Sequence, residues 1–531
     1  KLLAIVSRTG SAQRLTYSNG VTNDSSIGRH PANAPVCPRV QLGMILEAGL
    51  LLCVTDDAGR QLQFERDPYG RISKMIDPAG ESYLYAYDGI SAGCTNSGAF
   101  NAIACEAGNL TSVTYPGGRT KTYHYNEASR INGGAACPGV KPVGPGFGGL
   151  IRALTGITDE NGSRHLSWTY DCKGKATSSE VGQGNEKVTL AYGAIDVQKR
   201  SVTTVRYDSG TAASPLHTET NYIYGNVLGV RRNIGMSAPC IECGAYASRT
   251  YDASGNQATL VDWNGNKATL IHDLARNLET SRIDADGTPL RRVTSTTWHP
   301  TLRLPATVAE AKRITRYAYD DAGNLLTKTE QATSDTNGSQ GLGATLIGAA
   351  RTWTNTYEAS GRVKTTRGPR RDIDDTTTYH YDQTNGNLTS MVNALGHTTT
   401  VSEYDVNGRP HRIVAPNGVV TAIDYTVRGW VKIRTVSAGV LSETTGYEYD
   451  YVGQLKKVTL PGGAVMNYDY DDSRRLTGVS DSLGNSIIYT PDFLGNRVLE
   501  QVKDPAGTLT QQVSRQYDEL NRLKQQTGAA Q

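Results

Sequence analysis

Phenylalanine is nearly missing: the 531 residues hold 4 Phe against 29 Tyr. A deep apolar core would draw on both. This aromatic set instead suits a half-buried surface on which each ring keeps one hydrogen-bonding end. Charge of one sign is missing too, with 54 Lys and Arg against 51 Asp and Glu, a net of +3. That balance, without any long single-sign block, excludes the electrostatic footprint of a nucleic-acid binder. No apolar run approaches the roughly 18 residues of a membrane-spanning helix. The best stretch, Leu42 to Val54, is short and broken by Glu47. Cysteine is absent after Cys243, and all eight lie between Cys37 and that residue. An even count in a chain of this kind fits an oxidising compartment, but the chain is too long for cysteines to define its fold. There is no initiator Met at Lys1, and the pattern stops soon after Tyr517-Asp518. A segment of a longer protein is the expectation.

What is present is repetition. One phrase recurs at Tyr404-Asp405-Val406-Asn407-Gly408, Tyr425-Thr426-Val427-Arg428-Gly429, Tyr449-Asp450-Tyr451-Val452-Gly453 and Tyr470-Asp471-Asp472-Ser473-Arg474. Its lead tyrosines stand 21, 24 and 21 residues apart. A period near twenty residues marks an array of one supersecondary unit, which grows without splitting into separate cores. The length would allow a large core, but the array overrides that prior. Further copies are Tyr251-Asp252 with Gly255, Tyr319-Asp320 with Gly323, and Tyr517-Asp518. Between them lies a second half-phrase: Pro416-Asn417-Gly418, Pro461-Gly462-Gly463, Leu483-Gly484-Asn485 and Asp504-Pro505-Ala506-Gly507.

One repeat therefore reads as strand, lead turn at Asp-x-x-Gly, strand, return turn at Pro-x-Gly. The Asp side chain can bond the backbone two residues on, and Gly supplies the positive φ. Thr- and Val-rich strands of about six residues fit between the turns. The fold class is all-β, with hairpins stacked side by side into one continuous antiparallel sheet. Lead tyrosines on one face are expected to form a ladder, each pair worth roughly 0.2–1 kcal/mol.

The whole chain, 1–531, reads as one array. Residues 1–50 are weakly patterned, 51–300 hold irregular repeats, and 317–531 hold regular ones. The phrase breaks near 89–109, 132–149 and 196–246, and a polar Gly-rich insertion lies near 333–349. Cys94 and Cys105 bracket the first break and read as a disulfide staple, worth about 3 kcal/mol in the chain-entropy model. Cys240-x-x-Cys243 could be a redox pair or half a zinc site. No helix start and no second Cys-x-x-Cys accompany it, so a disulfide is favoured. Proximity along the array suggests Cys37 with Cys53 and Cys137 with Cys172; free buried thiols are the alternative.

The repeated Asp is the tempting catalytic residue. Catalysis needs a unique constellation, and a residue present in most copies suits a turn instead. No nucleophile-elbow phrase occurs, and the Gly pairs are not followed by a helix as a phosphate loop requires. His124, His380 and His397 lie in strand phrases. Sequons such as Asn161-Gly162-Ser163 matter only in a eukaryotic source. A repeat-borne glycan-cleaving enzyme would need one unique acidic pair, and none stands out. The expectation is no catalytic residue, no cofactor and no metal site.

The Tyr-Asp-x-x-Gly-x-Leu phrase, the intervening Pro-x-Gly turn and their spacing resemble the Rhs/YD-repeat family of bacterial Rhs and polymorphic toxins, toxin-complex components and teneurins. The match runs over nearly the whole chain and is strictest in residues 317–523. Cys240-Ile241-Glu242-Cys243-Gly244 also looks like bacterial Rhs proteins. The resemblance implies a β-ribbon spiralling into a hollow shell. It further implies a non-catalytic wall that encapsulates a C-terminal toxin, secreted by or displayed on a bacterium. The implied partners are that cargo, the rest of the shell, and secretion-machinery or immunity proteins. The family's self-cleaving core block, toxin domain and spike-like N-terminal module do not occur in these 531 residues. The rival expectation is an extracellular carbohydrate- or protein-binding adhesion module, as in teneurin-like surface proteins.

Overall fold

The computed structural model describes residues 2–6, 12–22, 29–40, 45–88, 108–139, 149–239 and 246–528. Within these, forty strands form one sheet in which each strand pairs antiparallel with the next along the chain. One exception sits at the start, where Ala12–Ser18 pairs with Ala4–Val6, Arg29–His30 and Leu51–Thr55. The described residues contain no α-helix and three single-turn 3₁₀ segments.

Among the described residues no large core forms, although the length would allow one. Buried apolar residues gather in small clusters, such as Cys37, Val40, Leu46, Leu52 and Cys53, or Leu260, Ala268 and Leu270. The reason is geometric. In a one-layer ribbon each hairpin touches its neighbours along the ribbon, and no second layer covers a whole face. Most side chains stay half-buried, which suits tyrosine better than phenylalanine.

Curvature is written into many of the repeats. The register shifts by one residue just before the lead Tyr, as at Thr250/Tyr251, Ala318/Tyr319, Glu448/Tyr449, Asp469/Tyr470 and Gln516/Tyr517. Return-turn hairpins such as Pro410–Val414 with Val420–Tyr425 run in register. Lead turns and return turns necessarily lie on opposite edges of the ribbon. A bulge adds one residue and bends its strand. Return-turn pairs shift as well at Ile157/Thr158, Ser179/Val181 and Val502/Lys503, and each bulge bends the ribbon locally.

The breaks in the phrase are local elaborations. Asp88 still closes a lead turn at the first break, because its carboxylate accepts the Asn109 backbone NH at 2.7 Å and the Asn109 amide at 3.1 Å. Near residues 132–149, a disulfide joins Cys137 to Cys172, and another joins Cys37 to Cys53 further upstream. Cys94, Cys105, Cys240 and Cys243 lie outside the described residues. In 196–246, Ser201–Thr211 and Ser214–Val227 form a long in-register hairpin. The insertion near 333–349 folds back so that the Asn337 carbonyl accepts the Val293 NH, with Asp335 buried.

Candidate functional site: the seam between successive coils

The lead turn is held by its aspartate. In Asp405, Oδ1 accepts the backbone NH of Asn407 at 3.0 Å and of Arg409 at 2.9 Å, while Oδ2 accepts Arg409 Nε at 2.7 Å. Asp471 with Arg475 and Asp518 with Arg522 repeat this. Asp252 and Asp320 use Asn256 and Asn324 in the same position. Gly255, Gly323, Gly408 and Gly453 have φ of +80°, +84°, +82° and +94°. The fourth residue after the Asp, Arg or Asn, is a functional position that the sequence reading passed over, although its recurrence was visible. The Asn324 amide holds the Asp320 carboxyl below the usual range, and the Arg522 guanidinium does so for Asp518. Both stay ionised at neutral pH, the state a turn anchor needs and a proton donor does not.

The lead tyrosines do not stack on one another. Among the described residues, ring contacts such as Tyr83–Tyr115 and Trp430–Tyr449 join other pairs. Instead, the hydroxyls of several lead tyrosines donate to a carbonyl in the strand that follows the previous lead turn. Tyr251 reaches Asn233, Tyr319 reaches Pro305, Tyr404 reaches Leu388 and Tyr470 reaches Leu455, at 2.6–3.0 Å. Arginine from the preceding turn fills the gap between leads: Arg409 lies 4.9 Å from the Tyr425 ring centre, and Arg71 4.4 Å from that of Tyr87. The expected Tyr–Tyr ladder is thus an Arg–Tyr ladder stitched to the backbone, because the guanidinium already fixed by Asp occupies the space. Tyr404→Phe should cost about 1–2 kcal/mol through the unsatisfied Leu388 carbonyl, measurable by denaturant unfolding.

A second set of contacts joins residues 268 to 332 apart in the chain. They show that the ribbon returns onto itself after roughly that length, so the described chain makes between one and two turns of a spiral. Return turns of the first coil meet lead turns of the second. Asn161 Nδ2 donates to Asp450 Oδ2 at 2.9 Å, and Asn161 Oδ1 accepts the Tyr451 NH at 3.0 Å. The Ser163 hydroxyl bonds Asp472 at 2.8 Å, and Asn185 bonds the Ser473 hydroxyl at 2.8 Å. Phe493 makes two backbone bonds, accepting from Glu186 and donating to Gly210. Arg119 lies over the Tyr451 ring at 3.6 Å. Asn161 belongs to the sequon noted above, and its amide is taken up by the seam.

Charge is concentrated at the centre of this seam. Asp159 and Glu160 are 2% and 6% exposed. Arg474 bonds Asp159 at 3.0 Å. Arg428 and Lys121 approach Glu160 Oε1 at 3.3 and 3.7 Å. Gly182, at φ +55°, leaves room for Ser473, whose hydroxyl would lie 2.3 Å from an added Cβ. Of the residues singled out in the sequence, the seam gathers Asp450 and flanks Asp471. Tyr449 and Gly453 pack around Trp430 beside it. Gly408 adjoins the Arg60 guanidinium of the first coil. Tyr251, Asp252, Gly255, Tyr319, Asp320 and Gly323 lie in repeats away from these contacts. Tyr517 and Asp518 line a cavity of about 380 Å³ with Ser209 and Gly210. His124 bonds the Thr158 hydroxyl at 2.8 Å, and His380 and His397 are exposed.

A one-layer antiparallel ribbon of bulged hairpins, coiled edge upon edge, defines a spiral β-shell wall. The Teneurin YD-shell family matches residues 343–523, and the RHS Repeat family matches residues 106–135. Over those residues the chain is similar to the Rhs/YD-repeat family. No curated protein matches the sequence. The solved structures that share the fold include TcdB2-TccC3-Cdc42, with a TM-score of 0.60, and TcdB2-TccC3 without the hypervariable C-terminal region, with 0.61. Each is 12% identical, and the alignments cover 98% and 97% of this chain. The chain spans about a quarter of their length, 26% and 27%.

Proposed function

We propose that this chain is a stretch of non-catalytic wall in a secreted bacterial shell that encloses a polypeptide, in the first instance a toxin domain carried C-terminal to the wall. The observation that carries the reading is the seam. A sheet that only needed to present a surface could stay an open ribbon; this one stacks its coils with buried ion pairs and paired backbone groups. Stacked coils separate an inside from an outside. The two disulfides suit an oxidising compartment outside the cytosol. The partners that follow are the cargo, the remaining coils, and secretion-machinery or immunity proteins. The likeness to TcdB2-TccC3 supports the wall by fold alone.

The test uses the full-length protein in a protease-protection assay. The enclosed polypeptide should survive intact at a protease dose that digests it when expressed alone. Digestion at the same rate in both settings would remove the encapsulation reading and favour a surface-binding role.

A further inference from the structure

The two disulfides are held in different ways. Cys37 and Cys53 are each 0% exposed and sit in an apolar cluster with Val40, Leu46 and Leu52. A thiol from solvent cannot reach them without opening that cluster. Cys137 is buried, but its partner Cys172 is half-buried, on the lead turn formed by residues 171–175. That turn does not need the disulfide, because the Asp171 carboxylate accepts the backbone NH groups of Lys173 and Lys175 at 2.8 and 2.9 Å. The other side does need it. Ile131 is 1% exposed and bridges to Tyr170. Beyond Ile131, every residue of 132–139 except Cys137 is exposed. The hydrogen bonds of this stretch are local, from the Gly134 NH to Ile131, from the Ala135 NH to Asn132, and from the Asn132 amide to the Ala135 and Ala136 carbonyls. Among the described residues, Cys137 is therefore the one bonded tie between residues 132–139 and the sheet.

We propose that Cys137–Cys172 is a redox clasp. It pins residues 132–139 to the first coil in oxidising surroundings and is opened by small-molecule thiols such as glutathione, while Cys37–Cys53 stays closed. In the exchange, a thiolate attacks Cys172 Sγ, forms a mixed disulfide there and expels Cys137 as a thiolate. A second thiolate attacks the small-molecule sulfur of the mixed disulfide and expels Cys172. Each released sulfur takes up the proton that an attacking thiol gave up. Both protein sulfurs are reduced, and two small thiols are oxidised to one disulfide. Five residues lie between Ile131 and Cys137. Fixed at both ends, that span is too short to enter a protease cleft in extended form. With Cys137 released, one fixed end remains and the stretch opens locally. The clasp is a protease shield that lasts outside the cytosol and lapses among thiols. It rests on the reading of a wall outside the cytosol and requires no cargo.

The test treats the full chain with glutathione, alkylates the new thiols and then adds elastase, whose small specificity pocket suits alanine. Mass spectrometry follows cutting after Ala135 and Ala136 and the label on each cysteine. Cutting there should speed up about tenfold or more after thiol treatment, because a cross-link that restrained local opening is gone. Cys137 and Cys172 should be labelled at thiol concentrations that leave Cys37 and Cys53 unlabelled. The double variant Cys137→Ser, Cys172→Ser should be cut at the fast rate without thiol. Equal labelling of all four cysteines, a wild-type cutting rate that thiol leaves unchanged, or a double variant that still resists cutting would each overturn the proposal. Neither readout involves an enclosed polypeptide, so the clasp and the encapsulation reading fail separately.

Discussion

Arg474→Met is expected to destabilise the protein by about 3 kcal/mol, with the loss concentrated at the seam. Asp159 is 2% exposed and would keep its charge with its partner gone. Removing one member of a buried pair is costly because the other is left uncompensated. Asp159 would still hold its own turn, since Oδ1 accepts the NH groups of Asn161 and Ser163. Adding Asp159→Asn preserves that acceptor and deletes the stranded charge, so the double variant should recover most of the loss. Denaturant unfolding of the two singles and the double closes the cycle. Additive losses would show that the pair contributes nothing of its own.

Gly156→Ala is expected to cost about 3 kcal/mol for a different reason. A Cβ there would lie 1.9–2.2 Å from the Arg164 guanidinium. The arginine can swing away, but it would then leave Glu127, which it grips through two bonds of 3.0 and 2.7 Å, and the Thr155 carbonyl at 2.9 Å. That grip, with the Thr155 hydroxyl assisting, lowers the Glu127 carboxyl from 4.5 to about 2. A depressed carboxyl stabilises the fold above its ordinary value, and the benefit is lost as pH falls from about 4.5 toward 2. The variant should therefore lose both stability at neutral pH and part of the wild type's acid sensitivity in that window. Thermal unfolding at pH 7, 4.5 and 3 reads both effects; a parallel pH profile would separate Gly156 from the Glu127–Arg164 pair.

The strands and turns were legible because each is set within one period. Asp405 finds its donors two and four residues on, and Gly408 supplies the positive φ between them. The tyrosine partners were less legible, because the Leu388 carbonyl that receives Tyr404 belongs to the previous repeat and carries no side-chain mark. The Arg at the fourth position could have been found, since Arg60, Arg71, Arg200, Arg409, Arg475 and Arg522 all follow an Asp by four. The seam was not legible. Glu160 meets Arg428 across 268 residues, and that offset depends on curvature summed over many hairpins rather than on any local phrase. The sequence pattern directed attention to the places where the phrase breaks. The structure puts the concentrated charge elsewhere, on ordinary turns where one coil lies against the next.

The edge-on-edge spiral is the central claim, and one placement tests it directly. Gln183 is an exposed residue of a first-coil return turn, 3.3 Å from Asp472 of a second-coil lead turn. A photo-reactive amino acid at position 183 should cross-link to the peptide containing Asp471–Arg475. Cross-links confined to neighbouring hairpins of the first coil would contradict the spiral.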